Sequence, residues 1–344
     1  VLISSAADGN DLPGCALLVT HGTTAETLFL KVENHAAMVT WQVTAKTAKV
    51  IHPARPGRAL DSLPGTGPTA WLASVDPHRR VYLFRLSAEG ELSPEGTVRP
   101  AAEPAAITWT ADAGGSQWIL IASLAGGERH IEAFRREDSQ WHAKGNVSAA
   151  DLMTPRPVPG TTSIVCGAWQ FFPDRTPRRL NVSGARDLAE IYPGPAQVLT
   201  EFRIDDLTVL TSDDSGARWH VHPAPWPQGT AFDWPPEAFD MAGSAPMLRW
   251  VTKGRVVVAR FAKGTWTRIA DVPIADIKGL SGPGLMIGDT LVFVSVCYRT
   301  VPGESDSFRV AVIRSGHLDT STILVQSAAT QNSPFTKTRA WRSR

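Results

Sequence analysis

Ser212-Asp213-Asp214-Ser215-Gly216-Ala217-Arg218-Trp219 is the stretch that decides how this chain is read. Apolar, β-branched text precedes it at residues 207–210, and His220-Val221 follows it, so the octapeptide is a polar turn between two strands. Its chemistry suits that place. Asp214 offers a carboxylate to backbone N–H groups across the turn, Gly216 tolerates positive φ, and Trp219 has a ring to pack beneath them.

The same plan recurs on both sides of this turn. Six segments each carry an apolar strand, a second apolar strand, a polar turn and a third strand, often marked by tryptophan. The first strong apolar residues after the turns are Trp41, Leu92, Trp141, Trp219, Trp266 and Leu318, at successive spacings of 51, 49, 78, 47 and 52 residues. A period near fifty built only of short strands is the signature of a radial all-β array. The long interval predicts an insertion in the fourth repeat at about residues 170–202, where Pro173, Pro177, Pro193 and Pro195 cluster. The expected fold is all-β, a single six-bladed β-propeller of antiparallel blades spanning residues 1–344.

Composition narrows the partners. With 34 Lys and Arg against 33 Asp and Glu, the chain has no global field for nucleic acid or an anionic membrane. The longest apolar runs, residues 285–287 and 291–296, are separated by Gly288-Asp289 and are too short to span a bilayer. The chain starts at Val1 without an initiator methionine or a leader, which suits a mature exported protein or a trimmed chain, and a periplasmic or secreted location is expected. Cys15, Cys166 and Cys297 cannot all pair within one molecule. They read as buried thiols, or as one bridge such as Cys15 to Cys297 if the compartment is oxidising.

Ser212, Asp214, Gly216 and Trp219 match the S-x-D-x-G-x-x-W pattern of the Asp-box, or BNR repeat, so the chain resembles the sialidase-like six-bladed β-propellers. The resemblance implies that the box is structural and lies at a turn between outer strands, away from the ligand face. Enzymes of that family use an arginine triad, a Tyr nucleophile paired with Glu, and an Asp acid/base. This chain departs from them: Phe202-Arg203-Ile204-Asp205 lacks the proline of their R-I-P motif and lies in the fourth repeat. Tyr82, Tyr192 and Tyr298 are its tyrosines. Tyr192 and Glu190 share a face of an extended strand, and Tyr298 adjoins Arg299, but packed or surface tyrosines are the favoured reading.

Other chemistry is thinner. His220 and His222 face one side of a strand but lack a third ligand nearby, so no metal site is expected, and no Gly-rich phosphate loop or other cofactor motif occurs. Candidate binding residues are Trp226, Phe232, Trp234 and Phe239 in the Pro-rich connection at residues 223–239, with Arg178, Arg179 and Arg186 around the insertion. The two segments are expected to form one contiguous surface. The function expected is a non-catalytic exported propeller that binds another protein through loops on one face, as inhibitor, immunity-type partner or scaffold. The alternative is a sialidase-like glycoside hydrolase or a glycan-binding propeller.

Overall fold

The computed structural model describes residues 2–7, 13–21, 24–33, 36–46, 69–75, 78–87, 92–149, 152–181, 189–195, 198–239, 245–274, 284–287, 290–297, 307–314, 316–324 and 342–343. Strands dominate these residues, and no α-helix occurs among them. No helix there is long and apolar enough to cross a membrane.

The strands form antiparallel sheets in strict chain order. The first sheet holds β1 (Leu2–Ala7), β2 (Pro13–His21), β3 (Thr24–Glu33) and β4 (Ala36–Lys46). The second holds β5 (Thr69–Val75), β6 (Val81–Ser87) and β7 (Leu92–Val98). The third holds β8 (Pro104–Ala111), β9 (Gln117–Ala125), β10 (Glu128–Glu137) and β11 (Gln140–Ser148). The fourth is small: β12 (Arg156–Pro157), β13 (Ile164–Cys166), β14 (Trp169–Phe171) and β15 (Arg178–Arg179). The fifth holds β16 (Ala189–Pro193), β17 (Leu199–Arg203), β18 (Thr208–Ser212) and β19 (His220–His222). The sixth holds β20 (Trp234–Phe239), β21 (Met247–Thr252), β22 (Arg255–Ala262) and β23 (Thr265–Pro273). The last holds β24 (Gly284–Ile287), β25 (Thr290–Cys297), β26 (Ser307–Arg314), β27 (His317–Leu324) and β28 (Arg342–Ser343).

The first strands of the third, fourth and fifth sheets adjoin in turn, with β12 lying against both β8 and β16. β1 lies against β24, and β4 against β26, β27 and β28, so the first and last sheets meet. Sheets that radiate from adjoining first strands and return on themselves make a β-propeller. The expected fold class therefore stands, but the described strands form seven sheets, one more than the six expected repeats. The extra sheet lies within the long interval: residues 170–202, expected to be an insertion, start within β14, include β15 of the fourth sheet and enter the first two strands of the fifth. Its strands of two or three residues are too short for an alternating pattern to register.

Both faces of an interior sheet are buried, and the two-residue period assigns alternate side chains to different cores. On β9, Ile119 and Ile121 join the core shared with the second sheet, while Trp118, Leu120 and Ala122 join the core shared with the fourth. On β22, Val257, Ala259 and Phe261 pack toward the fifth sheet, and Val256 and Val258 toward the last. The core between the fourth and fifth sheets is much smaller. Its buried members are Val165, Leu180, Ile191 and Leu199.

Four sheets carry a bulge in the outer strand. One extra residue, Thr40, Glu95, Lys144 or Ile269, stands unopposed beside the neighbouring strand. In the second, third and sixth sheets the bulge lies three residues after Leu92, Trp141 or Trp266, which confirms that these are equivalent positions. Trp41 is not equivalent to them, because it follows its bulge.

Candidate functional site

Short strands leave the wedge between the fourth and fifth sheets partly unfilled, and a cleft of about 620 Å³ occupies it. Its walls come from four turns at one end of the two sheets: those joining β12 to β13, β14 to β15, β16 to β17, and the octapeptide turn, which contributes Ser215. Such a volume lies in the usual range for ligand pockets.

Register explains which side chains face it. Arg156, Val165, Gln170 and Arg178 are successive cross-strand partners, so one row of side chains crosses the fourth sheet from its inner to its outer edge on the face toward the fifth. The inner end of that row is closed. Arg156 is buried and donates to the Glu190 carboxylate at 2.7 Å, with its guanidinium 3.7 Å from the Tyr192 ring centroid. Glu190 also accepts from the Thr154 hydroxyl at 3.0 Å. Burial pulls the Arg156 guanidinium toward losing its proton, but Tyr192 and Glu190 outweigh that, so its pKa is raised. Tyr192 and Glu190, the pair that shared a strand face in sequence, are both buried in this network.

The outer end of the row is open. Arg178 donates to Gln170 Oε1 at 2.7 Å, Gln170 donates to Ser163 Oγ at 2.9 Å, and Ser163 Oγ lies 2.8 Å from Thr161 Oγ1. Gln170 and Ser163 are buried, so this chain fixes the exposed guanidinium from below. Arg175 stacks on Phe172 at 3.8 Å from its ring centroid, and Arg178 lies 5.9 Å from the same ring. Asp174 shares the rim. Among the described residues neither Arg175 nor Arg178 makes an ion pair, whereas Arg135, Arg136, Arg156, Arg203, Arg249, Arg255 and Arg268 each meet a carboxylate.

The octapeptide turn holds itself and its neighbour. Ser212 Oγ donates to Asp214 Oδ1 at 2.7 Å and accepts from Gly216 N at 2.8 Å, while Asp214 Oδ1 accepts from Arg218 N at 2.9 Å. Gly216 takes φ +90°, and a Cβ there would lie 2.2 Å from the Asn181 carbonyl oxygen. Trp219 Nε1 donates to that same oxygen at 3.1 Å. A second turn does comparable work in a different place. Between β8 and β9, Asp112 accepts from Gly114 N, Ser116 N, Trp118 Nε1 and Arg135 Nε.

The aromatic residues at 223–239 are mostly spent inside the ring. Trp226 packs edge-on against Trp250 and Phe232, at 5.4 and 5.5 Å between centroids. Trp234 and Phe239 lie in β20 rather than in a loop. Phe239 is buried 5.1 Å from Phe293, and Trp234 Nε1 donates to Glu237 at 3.1 Å. Phe232 is the exposed ring of the four. Strand direction also separates this segment from Arg178. The chain leaves the octapeptide turn along β19 to reach residue 223, and Trp226 shares a core with Ile204 and Leu207 of the turn between β17 and β18. The contiguous surface expected from sequence is therefore divided between opposite ends of the fifth sheet.

Arg179 is exposed and pairs with Trp169 across the strand; Arg186 lies outside the described residues, as does Tyr298. Cys166 is buried and its thiol donates to the Met153 carbonyl at 3.2 Å, while the side chains of Cys15 and Cys297 lie outside the described set. His222 lies 2.8 Å from Thr211 Oγ1, its proton affinity lowered by burial and then by His220. No cluster of metal ligands occurs among the described residues. Sequence reasoning missed Phe172, Gln170 and Ser163. Only the Phe171-Phe172-Pro173-Asp174-Arg175 run, aromatic text broken by proline and charge, hinted at them.

Fold and site define a β-propeller with a charged cleft at the turn end of two adjacent sheets. No protein family and no curated protein matches the chain. Among solved structures it is similar to a functionally unknown protein from Desulfotomaculum acetoxidans, at 10% identity, covering 89% of this chain and 93% of that one, with a TM-score of 0.49. It is also similar to YCF48 bound to D1 peptide, at 11% identity over 92% of this chain and 97% of that one, TM-score 0.43. The six-bladed, fucose-recognising lectin of Aleuria aurantia is similar at 13% identity over 93% of this chain and 91% of that one, TM-score 0.36. These identities are low, and the functional reading rests on this chain's own residues.

Proposed function

We propose that the protein is a non-catalytic β-propeller that binds another polypeptide through the cleft between its fourth and fifth sheets, in an inhibitory, immunity-type or scaffold role. The observation that carries this reading is the unfilled wedge itself, walled by four turns and rimmed by Arg175 and Arg178 on Phe172. Rigid sheets that present adjacent turns are a common platform for recognition. Tyr192 and Glu190, the pair a sialidase-like reaction would draw on, are buried and engaged by Arg156 and Thr154, which suits a supporting role.

A photo-crosslinking side chain at Thr162, on the cleft wall, tests the reading in the producing cell, with Lys253 in the turn between β21 and β22 as the control position. One defined polypeptide adduct from Thr162 and none from Lys253 is expected. Adducts from Lys253 alone, or from neither, would reject it. Hydrolysis of sialosides or aryl glycosides that is lost in Glu190→Gln would overturn the non-catalytic part. Export to the periplasm or beyond belongs to the same reading and is tested by fractionating the producing cell.

A further inference from the structure

We infer that the outer end of this cleft is an anion subsite whose ligand is a carboxylate carried on an apolar stretch of polypeptide, an Asp or Glu side chain of the partner; this rests on the protein-binding reading above. Three observations converge on it. The first is charge without an answer. Arg175 and Arg178 stand together on one ring with no ion pair among the described residues, in a molecule where Arg135, Arg136, Arg156, Arg203 and Arg249 each meet a carboxylate. Asp174 on the same rim reduces the local charge but leaves an excess of one positive.

The second is preorganisation. Gln170 takes one N–H of Arg178, and the buried Ser163 hydroxyl, itself 2.8 Å from Thr161 Oγ1, holds Gln170 in turn. The stacking on Phe172 fixes the plane of the Arg175 guanidinium, because a planar cation lies flat on an aromatic face. Two guanidinium groups so placed retain N–H forks for a carboxylate, and little side-chain entropy remains to be lost on binding. The third is the composition of the walls. Val158, Leu180 and Leu199 line the cleft beside the polar row, so the neighbours of the acidic residue would be apolar.

The test is selection of random displayed heptapeptides on the immobilised full chain, followed by affinity measurement on variants. Enriched peptides are expected to carry Asp or Glu beside apolar residues. Their affinity should fall about tenfold or more in the double variant Arg175→Gln/Arg178→Gln, and as far in the cleft-filling Thr162→Trp. Arg179→Gln should leave it unchanged, and thermal melting of each variant checks that the fold is kept. Peptides that lose binding in Thr162→Trp but lack acidic residues and ignore the double variant would overturn the anion subsite while leaving the protein-binding reading intact. Peptides indifferent to Thr162→Trp, or no enrichment at all, would overturn both.

Discussion

Trp219 Nε1 donates to the Asn181 carbonyl across a sheet boundary at 3.1 Å, and Trp141 Nε1 does the same to the Glu95 carbonyl at 2.8 Å. In each case the ring belongs to the later sheet and the acceptor to the earlier one. Trp266 follows the corresponding turn of the sixth sheet, but its buried indole nitrogen has no acceptor among the described residues. Tryptophan to phenylalanine removes a similar volume at all three positions and differs in the bond lost. Trp141→Phe is therefore expected to cost about 1 kcal/mol more than Trp266→Phe, measured by urea denaturation.

Gly216 is constrained twice, by φ +90° and by the Asn181 carbonyl. Gly254 has φ +66° with open space where a Cβ would go. Gly254→Ala should cost about 1 kcal/mol from backbone strain alone, and Gly216→Ala at least about 2 kcal/mol, because the docking between sheets must also give way. Equal losses in the two variants would remove the docking from the account of this turn.

At the inner end of the cleft, Glu190→Gln keeps the shape of the side chain but takes the charge from beside buried Arg156. Breaking a buried ion pair by removing one partner's charge costs about 3 kcal/mol or more. The expected readout is a lower denaturation midpoint with an unchanged slope, since the fold is loosened and not expanded.

The Asp214 carboxyl is held below its ordinary value of 3.8, first by the Arg218 backbone N–H and then by the Ser212 hydroxyl. A depressed carboxylate adds stability that is present above its unfolded pKa and lost as pH falls through the folded one. Asp214→Asn is expected to flatten the acid side of the profile, with wild type and variant converging as pH drops below 3.8. Glu137 is also depressed, chiefly by Lys144 and then Arg135, and it keeps some acid sensitivity in the variant. Thermal midpoints across an acid series measure the difference.

The all-β architecture was legible because long strands such as β9 and β22 feed two cores and leave dense apolar text. Arg156–Pro157 and Arg178–Arg179 are strands as well, yet two residues between prolines and charges hold no period at all. They were invisible, and with them the seventh sheet. For the site, Arg178 was legible as a cation in loop-like text, but its row with Gln170 and Val165 depends on cross-strand register, which single-sequence text does not contain. The rings at residues 223–239 misled for the opposite reason. Aromatic residues near prolines look like a recognition loop whether they meet a partner or, as Phe239 does, another phenylalanine.

The direction of the indole bonds has a consequence for biosynthesis. Chain growth makes the carbonyls of Glu95 and Asn181 before the indoles of Trp141 and Trp219, so each donor emerges to find its acceptor already in place. A ring fastened backwards in this way is suited to assembly on the ribosome, sheet upon sheet from the amino-terminal side.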